Sequence, residues 1–434
     1  MELTKSELHT HLFGMISAKE LLKMVSEYVD FIYWPLNKPV DETSRLVSIN
    51  DLLNNETALK QLRIKHGEQA SYGELENYYR TRISIINYLI SIFYLSNGKK
   101  NCKYNDLIMN DAIRSKISCY YNKSYNDKNV AYIMAILDYV KLDKKLNKEK
   151  NDSISKLIYS DYLNRALKEL TSMGCKYIEV SYSSENIMSL IELNPDVAST
   201  IKCKFLLSTE RSRRVKQMEE SISSLKEGIK KGMIIGFDIM GQELPLRDDE
   251  KSYSQIKNSY SLKRKLELLV EVLKDTKNGI NTLRIHSGES KTSFGNTEWI
   301  LNTLLEIKSE YESNNSNEKI LPPPEIRIGH GIYFDKNNNY LKMLQQLGVV
   351  IEINASSNFA LGNIDNYITI PYDYYLENNI PIVISTDGHG LYDTSLKVED
   401  YIASEVSKYY KIIPRIEDKI IEGKIKRWFH FMII

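Results

Sequence analysis

Four short segments of the chain carry side chains that could together bind a metal ion and catalyse hydrolysis. They are Glu7–Gly14 (ELHTHLFG), His286–Glu289 (HSGE), Arg327–Gly331 (RIGHG) and Ser385–Gly390 (STDGHG). The chain has only seven histidines, and five of them fall inside these segments: His9, His11, His286, His330 and His389. Random placement would rarely produce this concentration. The sequence therefore predicts one hydrolytic site built from all four segments.

His9 and His11 are candidate metal ligands because residues i and i+2 of a strand project to the same side. His286 and Asp387 each end a further predicted strand and complete a set of three imidazoles and one carboxylate. This set suits Zn²⁺ with one position left for water. An isolated His-x-His pair is more typical of surface or core histidines. The prediction of a metal site therefore depends on the partners at the other strand ends.

The same residues predict one zinc ion per chain. Four ligands close one site, and the segment Asp238–Gly241 offers no lysine that could bridge two metals, with Glu243 the only nearby substitute. The chain also has no His-x-Glu followed by Cys-x-x-Cys. That absence excludes the cytidine-deaminase type of zinc site.

Eight short apolar runs alternate with amphipathic segments, which is the pattern of βα units around a parallel sheet. The predicted strands are Ser6–Leu12, Lys176–Tyr182, Ile201–Ser208, Met233–Ile239, Thr282–His286, Glu325–Gly329, Val349–Ile353 and Pro381–Thr386. The predicted helices between them include Val215–Lys230, Leu262–Lys274, Thr297–Tyr311 and Tyr340–Leu347. Eight strands close a barrel, and catalytic residues gather at their carboxyl ends. We therefore predict an α/β fold, a (β/α)8 TIM barrel.

The 434 residues exceed the roughly 250 of a typical barrel, so we predict a single barrel domain with additions. The first strand lies within residues 1–16, and the rest of the barrel spans 161–396. Residues 17–160 are rich in Lys, Asn, Tyr and Ile and do not fit one βα unit. We predict that they form a large, mostly helical insertion that covers the barrel mouth. Residues 397–434 are predicted to form C-terminal helices.

Composition limits the partners and the compartment. Lys and Arg total 58 against 57 for Asp and Glu, so no net charge favours nucleic acid or an anionic membrane. The most apolar stretch, Ile83–Leu95, is shorter than the roughly 20 residues that a membrane span needs. The four cysteines form no Cys-x-x-Cys pair, and Met1–Thr10 lacks a signal-peptide pattern. We expect a cytoplasmic protein that binds a small molecule; homo-oligomerisation stays open.

At the level of motifs, the chain resembles the adenosine deaminase family of the amidohydrolase superfamily over nearly its whole length. ELHTHLFG resembles the family's opening zinc motif, GFDIMGQE (Gly236–Glu243) its fourth-strand motif and HSGE its HAGE motif. RIGHG resembles the sixth-strand motif, INASSN (Ile353–Asn358) the CPxSN region and STDGHG the STDDP motif.

This resemblance implies a role for each matching residue. The implied zinc ligands are His9, His11, His286 and Asp387. Glu289 would donate a proton to the purine ring nitrogen, His330 would be the base that orients the hydroxide, and Gly241 would contact the purine edge through its backbone. Ser357 and Asn358 would hold the metal-binding aspartate by hydrogen bonds. We expect Glu352 to be structural.

Two departures from the family pattern bear on the substrate. Phe13 stands where the family has an aspartate that binds the sugar 5′-hydroxyl, and Gly388 stands where a second aspartate contacts the purine. Both changes remove negative charge from the substrate side. A carboxylate near the 5′ position would repel a phosphate, so the Phe13 replacement permits a 5′-nucleotide. We expect His389 either to take over the lost base contact or to pack the loop.

Three arginines after the third predicted strand are candidate phosphate ligands, because guanidinium forks pair with phosphate oxygens. They are Arg211, Arg213 and Arg214. The same cluster also fits a solvated start of a helix.

The sequence favours zinc-dependent hydrolytic deamination of an adenine nucleoside or 5′-nucleotide, namely adenosine, deoxyadenosine, AMP or dAMP, to the inosine product and ammonia. Two alternatives stay open, a catalytically silent nucleotide-binding sensor and an amidohydrolase acting on another aminated heterocycle. The chain also looks similar to divergent deaminases of bacterial anti-phage operons. Antiviral defence is therefore a hypothesis for its biological role.

Overall fold

Ten strands are present in the part of the chain that the computed structural model describes, namely residues 5–34, 45–104, 107, 128–182, 201–224, 234–247, 251, 260–274, 281–314 and 325–410. They are β1 (Lys5–His11), β2 (Phe31–Trp34), β3 (Arg45–Ser48), β4 (Cys175–Tyr182), β5 (Lys202–Glu210), β6 (Ile234–Met240), β7 (Thr282–Ser287), β8 (Glu325–His330), β9 (Val350–Ile353) and β10 (Ile382–Ile384). Their bounds match the eight predicted barrel strands to within two residues wherever both lie in the described segments.

Eight of these strands form one parallel sheet in the order β1, β4, β5, β6, β7, β8, β9, β10. The two edge strands approach each other beyond β10, where Thr10 and Asp387 form a parallel bridge. The backbone N–H of Asp387 donates to the carbonyl of His9 at 2.9 Å, and the N–H of His11 donates to the carbonyl of Asp387 at 3.3 Å. The predicted (β/α)8 barrel is confirmed.

The barrel strands are buried on both faces, since helices cover the outside of the sheet. Every residue of β7, β8 and β9 is buried. The covering helices include α7 (Val215–Ser224), α8 (Leu262–Lys274), α9 (Asn296–Asn314) and α10 (Asn338–Leu347). Helices α1 to α6 are the helices between β1 and β4 in the described residues and are given below. The predicted extension of α7 over residues 225–230 lies outside the described residues.

The insertion after β1 is mostly helical where it is described. It contains α1 (Ala18–Tyr28), α2 (Ile49–Leu53), α3 (Glu56–Leu59), α4 (Tyr72–Leu95), α5 (Lys128–Leu146) and α6 (Lys148–Ser172). It also contains the antiparallel pair β2 and β3, which we did not predict. The aromatic and β-branched residues of β2 (FIYW) were the sequence signal that could have predicted this strand. Residues 35–44, 105–106 and 108–127 of the insertion lie outside the described residues.

The most apolar part of the sequence lies in α4, where it packs into the protein core. No helix in the described segments is long and apolar enough to cross a membrane.

A fully buried arginine on α4 ties the insertion to the barrel. Arg82 donates hydrogen bonds to the carbonyls of Phe13 at 3.1 Å and Ile16 at 2.8 Å, which follow β1. It also donates to Gly390, which follows β10, at 2.7 Å and to Leu62 of the insertion at 2.7 Å. One side chain therefore links the insertion to the two loops that flank the closure of the barrel.

Beyond β10, α13 (Leu396–Val406) packs on the short helix α11 (Ala355–Ala360), which precedes α12 (Tyr372–Glu377). The contact is polar at Glu399, whose fully buried carboxylate accepts the hydroxyl of Thr394 at 2.8 Å and the backbone N–H of Ser356 at 3.2 Å. Burial raises the pKa of Glu399 from 4.5 to about 7, although these hydrogen bonds oppose the shift. The remaining predicted C-terminal helices fall on residues 411–434, outside the described residues.

The raised pKa of Glu399 predicts a pH-dependent stability. The folded state binds this proton more tightly than the unfolded state, so the stabilisation is complete below pH 4.5 and is lost as pH rises through about 7. The full shift corresponds to about 3 kcal/mol of unfolding free energy. We expect Glu399→Gln to remove this component from urea unfolding measured between pH 4.5 and 8. Glu405→Gln, on the exposed face of the same helix, should keep the parent slope, and an equal slope in Glu399→Gln would refute the assignment.

Candidate active site

Three histidine side chains converge at the carboxyl end of the barrel. One ring nitrogen from each of His9, His11 and His286 lies within 4.8 Å of the others. Asp387 joins them, with its Oδ1 at 3.2 Å from His11 Nε2 and 3.5 Å from His9 Nε2. The structure therefore brings together all four side chains that the sequence pattern singled out as ligands.

The donor atoms of this cluster fit a metal ion. His9 Nε2, His286 Nε2 and Asp387 Oδ1 are buried and have no hydrogen-bond partner among the described residues. Buried polar atoms without partners are costly, so a group that satisfies them is expected. Two imidazole nitrogens and a carboxylate oxygen facing one point, with His11 alongside, form the donor set that Zn²⁺ prefers.

Asp387 is held in its ionised form. Burial acts to raise its pKa, but the adjacent imidazoles of His11 and His9 outweigh burial and hold the pKa well below its usual range. The other carboxylate oxygen accepts the hydroxyl of Ser357 at 2.7 Å. By binding Oδ2, Ser357 orients the Asp387 carboxylate so that Oδ1 faces His9 and His11.

Glu352 on β9 fixes the orientation of His9. His9 Nδ1 lies 2.8 Å from Glu352 Oε2, and the tautomer that donates its Nδ1 proton to this carboxylate leaves Nε2 available to a metal. Arg284 Nε at 2.7 Å and Arg327 Nη1 at 3.2 Å neutralise the same carboxylate. We had expected Glu352 to be structural, and its contact gives it a direct part in the site. The sequence signal for this role was the presence of an acidic residue in an otherwise apolar strand.

Asp238 on β6 is a second acidic residue that contacts the histidine cluster. Its Oδ1 lies 3.3 Å from His286 Nε2, and its Oδ2 accepts the hydroxyl of Ser181 at 2.6 Å. Burial favours the neutral acid, but the charges of His286 and Arg284 hold the pKa well below its usual range. Asp238 and Arg284 are charged residues within the otherwise apolar strands β6 and β7. These charges were the sequence signal that could have identified Asp238 as a site residue.

Glu289 and His330 form a pair beside the histidine cluster, with Glu289 Oε1 3.8 Å from His330 Nε2. Burial raises the pKa of Glu289, and the charges of Asp387 and Glu243 raise it further, while His330 opposes the shift. This environment favours a carboxyl that keeps its proton to higher pH than an exposed glutamate.

The far side of the His330 ring is held by an asparagine. Asn358 Nδ2 donates to the carbonyl of Asn354 at 2.7 Å and lies 3.2 Å from His330 Nδ1. The motif resemblance implies that Asn358 lies beside Asp387, whereas the structure places it against the His330 imidazole.

Two site residues have backbone conformations that non-glycine residues rarely adopt. His330 has φ +71° and Asp387 has φ +62°, both in the left-handed region. Such conformations cost on the order of 1–3 kcal/mol and persist where the surroundings enforce them. His330 is the last residue of β8, and Asp387 lies in the loop after β10.

The two positions that depart from the family pattern lie in the loops beyond β1 and β10. Phe13 is half-buried and packs edgewise against Tyr162 and Tyr182, with ring centroids 6.0 and 5.8 Å apart. At Gly388, an added Cβ would lie only 3.0 Å from the Cα of Gly14. A larger residue at position 388 therefore requires these two loops to separate.

Gly241 and His389 occupy different surroundings. Gly241 directly follows β6 with φ +103°, a conformation suited to glycine. His389 is buried, and its Nε2 lies 3.7 Å from the carboxylate of Glu169 on α6. His389 thus has an acidic neighbour within the protein, in line with the packing role that the sequence left open.

The three candidate phosphate ligands do not form one cluster. Arg211 is buried and donates to the carbonyl of His286. Arg213 is half-buried, and Arg214 is exposed with its Nε 3.2 Å from the hydroxyl of Tyr260. Their proximity in sequence could not show that the first turns inward and the last turns outward.

Two tyrosines of α4 bring the insertion to the site. Burial and the charge of Glu289 raise the pKa of Tyr72 to about 12, and burial and the charge of Asp387 raise the pKa of Tyr79 well above its usual value. The Tyr72 hydroxyl thus lies within electrostatic reach of Glu289, and the Tyr79 hydroxyl within electrostatic reach of Asp387. The sequence could not identify them, because the insertion carries no motif that aligns it with the barrel.

Fold and site together define a (β/α)8-barrel protein with a candidate mononuclear metal centre at the carboxyl ends of its strands. Residues 324–412 match the family model described as adenosine deaminase. A curated adenosine deaminase of Clostridium botulinum is 24% identical over 298 residues, which cover 64% of this chain and 77% of that one.

Two solved structures are also similar. The apo N6-methyl-AMP deaminase of Arabidopsis thaliana is 15% identical, with a TM-score of 0.49 over 94% of this chain and 88% of that chain. The adenine deaminase of Arthrobacter aurescens is 11% identical, with a TM-score of 0.49 over 97% of each chain. The family-model match and the curated relatives support a divergent adenosine deaminase family member, and these homologues indicate a hydrolytic deaminase.

The contact between Ser357 and Asp387 predicts an effect on metal affinity. Ser357→Ala removes the hydrogen bond that orients the carboxylate, and loss of such a bond typically weakens metal binding by 10-fold or more. We expect about a 10-fold weaker zinc affinity in competition with a chromogenic chelator. Ser356→Ala is the matched control, because the neighbouring hydroxyl contacts Thr394 instead. Equal affinities in both variants would show that Ser357 does not orient the ligand.

Proposed function

We propose that this protein is a zinc-dependent aminohydrolase that converts an adenine nucleoside or its 5′-monophosphate into the hypoxanthine product and ammonia. The observation that carries the proposal is the placement of Glu289 and His330 beside the convergent donor atoms of the histidine cluster. Similarity to the adenosine deaminase family supports the same reaction class.

His9, His11, His286 and Asp387 would hold the metal, because their donor atoms face one another and three of them have no other hydrogen-bond partner. A zinc ion bound there would lower the pKa of a bound water so that it ionises near neutral pH. Glu352 and Ser357 support this role, since they fix His9 and Asp387.

Glu289 would act as the proton donor. Addition of water to the carbon that bears the amine places negative charge on the ring, and protonation of the adjacent ring nitrogen removes that charge. A buried carboxyl with a raised pKa keeps its proton to higher pH than an exposed glutamate and is therefore suited to this step. Gly241, in the loop beyond β6, would contact the purine edge through its backbone.

His330 would orient the attacking water. Its Nε2 faces Glu289, and Asn358 holds the opposite side of the ring, so the imidazole has one defined direction. A group held in this way contributes by placing the reactant close to its line of attack.

We favour a 5′-nucleotide over the free nucleoside, because Phe13 and Gly388 replace two acidic residues of the family pattern. Arg213 and Arg214 stay candidates for the phosphate, while the inward contacts of Arg211 argue against that role for it. Participation in antiviral defence rests on the sequence resemblance and is part of the same hypothesis.

The decisive experiment is a substrate panel with purified protein. Adenosine, deoxyadenosine, AMP, dAMP and ATP would be incubated separately, and the ultraviolet change from adenine to hypoxanthine would be followed. We expect turnover of at least one nucleoside or monophosphate and about one zinc per chain by elemental analysis. Binding without turnover would instead favour the nucleotide sensor. Failure to bind or convert any of the five would favour another aminated heterocycle.

The proton-donor role predicts the behaviour of Glu289→Gln. The amide keeps the shape of the side chain but cannot supply a proton, so turnover should fall by about a hundredfold or more. Zinc content should stay at the parent level, because Glu289 is not among the four proposed ligands. Turnover within a few-fold of the parent enzyme would contradict the role.

The nucleotide preference predicts the behaviour of Phe13→Asp. A carboxylate beside a 5′-phosphate would cost on the order of 3 kcal/mol at about 5 Å and an effective dielectric of 20, and solvent could halve this energy. The ratio of kcat/KM for deoxyadenosine over dAMP, and for adenosine over AMP, should therefore rise by roughly 10- to 100-fold.

Phe13→Leu is the matched control, because it removes the ring from the tyrosine cluster without adding charge. It should leave both ratios near the parent values. If the aspartate variant also leaves them unchanged, Phe13 does not face the 5′ end and the preference loses its main support.

A further inference from the structure

Glu243 is a fully buried acid that the proposed reaction does not use. It lies in the loop after β6, and its carboxylate contacts the turn that carries Glu289. Oε2 accepts the backbone N–H of Glu289 at 2.9 Å, and Oε1 accepts the hydroxyl of Ser287 at 2.9 Å. One carboxylate therefore holds both ends of the turn between β7 and the proposed proton donor.

Arg211 supports the same turn from the loop after β5. Its guanidinium donates to the carbonyl of His286, and its Nη1 lies 3.9 Å from Glu243 Oε1. The carbonyl of Arg211 accepts the ammonium of Lys265 at 2.6 Å, which fixes the loop in turn. These contacts place Arg211 in the framework of the site.

The opposite side of the turn is held by the loop after β8. The carbonyl of Gly288 accepts the N–H groups of Ile332 and Tyr333, both at 2.8 Å. Gly288 has φ +70°, and a Cβ there would lie 2.8 Å from the carbonyl oxygen of Tyr333. The turn is thus confined on the side of the loop after β8. The direction of the Glu289 side chain therefore depends on the opposite side, where Glu243 accepts the Glu289 N–H.

We propose that Glu243 is a positioning residue for Glu289, which rests on the proton-donor role in the proposed function. Its hydrogen bond to the Glu289 N–H sets where the Glu289 carboxyl points. An error of about 1 Å in such a group typically costs a hundredfold in rate. The hydrogen bond, and not the negative charge, carries this role, because the acceptor oxygen alone fixes the backbone.

Three substitutions separate the hydrogen bond from the charge. Glu243→Ala removes both, and Glu243→Asp keeps the charge near Arg211 but withdraws the carboxylate by one methylene. Glu243→Gln keeps an acceptor for the Glu289 N–H, and its amide can donate to Ser287, whose hydroxyl then donates to Thr297 at 2.9 Å.

We expect kcat to fall about a hundredfold in the alanine and aspartate variants and to stay within about tenfold of the parent in the glutamine variant. KM and zinc content should stay near the parent values in all three. The control is Glu306→Ala, which removes an exposed carboxylate of α9 that pairs with Lys263. It should leave kcat, KM and zinc content unchanged.

Hydrogen–deuterium exchange of peptides covering residues 287–291 gives a readout that does not need activity. Exchange at the Glu289 amide should accelerate in the alanine and aspartate variants and stay slow in the glutamine variant. If the parent protein converts no adenine compound, the proposed function fails, and the exchange rates still decide whether Glu243 holds the turn.

The proposal is overturned if Glu243→Asp keeps the parent kcat and the parent exchange rate. It is also overturned if Glu243→Gln loses as much kcat as Glu243→Asp, because the charge would then be the important property. Should Glu243→Ala fail to fold, the aspartate and glutamine variants decide between these outcomes.

Discussion

The closure of the barrel between β1 and β10 is the constraint on which the site depends. Main-chain hydrogen bonds join His9 and His11 to Asp387, so the residues that close the barrel are also proposed metal ligands. Buried Glu7 reinforces this seam, because its carboxylate accepts the hydroxyl of Thr386 at 2.7 Å and the N–H of His9 at 3.1 Å. The arrangement of the proposed ligands therefore depends on the closure of the barrel.

A buried layer of charged side chains lies beneath the donor atoms. Glu352 accepts from His9 and is paired with Arg284 and Arg327, and Arg284 also approaches Asp238. Burying charges costs free energy, and such pairs seldom stabilise a fold better than apolar packing would. Their value here is directional at His9, whose Nδ1 is committed to Glu352 so that Nε2 can face a metal.

The sequence predicted the barrel and the four donor side chains because both follow local rules. Strand periodicity places His9 and His11 on one side, and strand ends place His286 and Asp387 at the same mouth. It did not predict the β2–β3 pair or the contact between Glu352 and His9. An acid in an apolar strand reveals its partner only when the barrel brings distant strands together, as Glu352 and His9 show.

The substrate determinants were harder to predict because they depend on how loops and the insertion pack. Arg211 and Arg214 are three residues apart, yet the first donates inward to the His286 carbonyl and the second lies exposed beside Tyr260. Gly388 shows the same dependence, since a Cβ added at this position would lie only 3.0 Å from the Cα of Gly14. A missing side chain thus changes loop packing as well as charge. The shape of the mouth is set jointly by the β1 loop, the β10 loop and the Arg82 contact that joins them to the insertion.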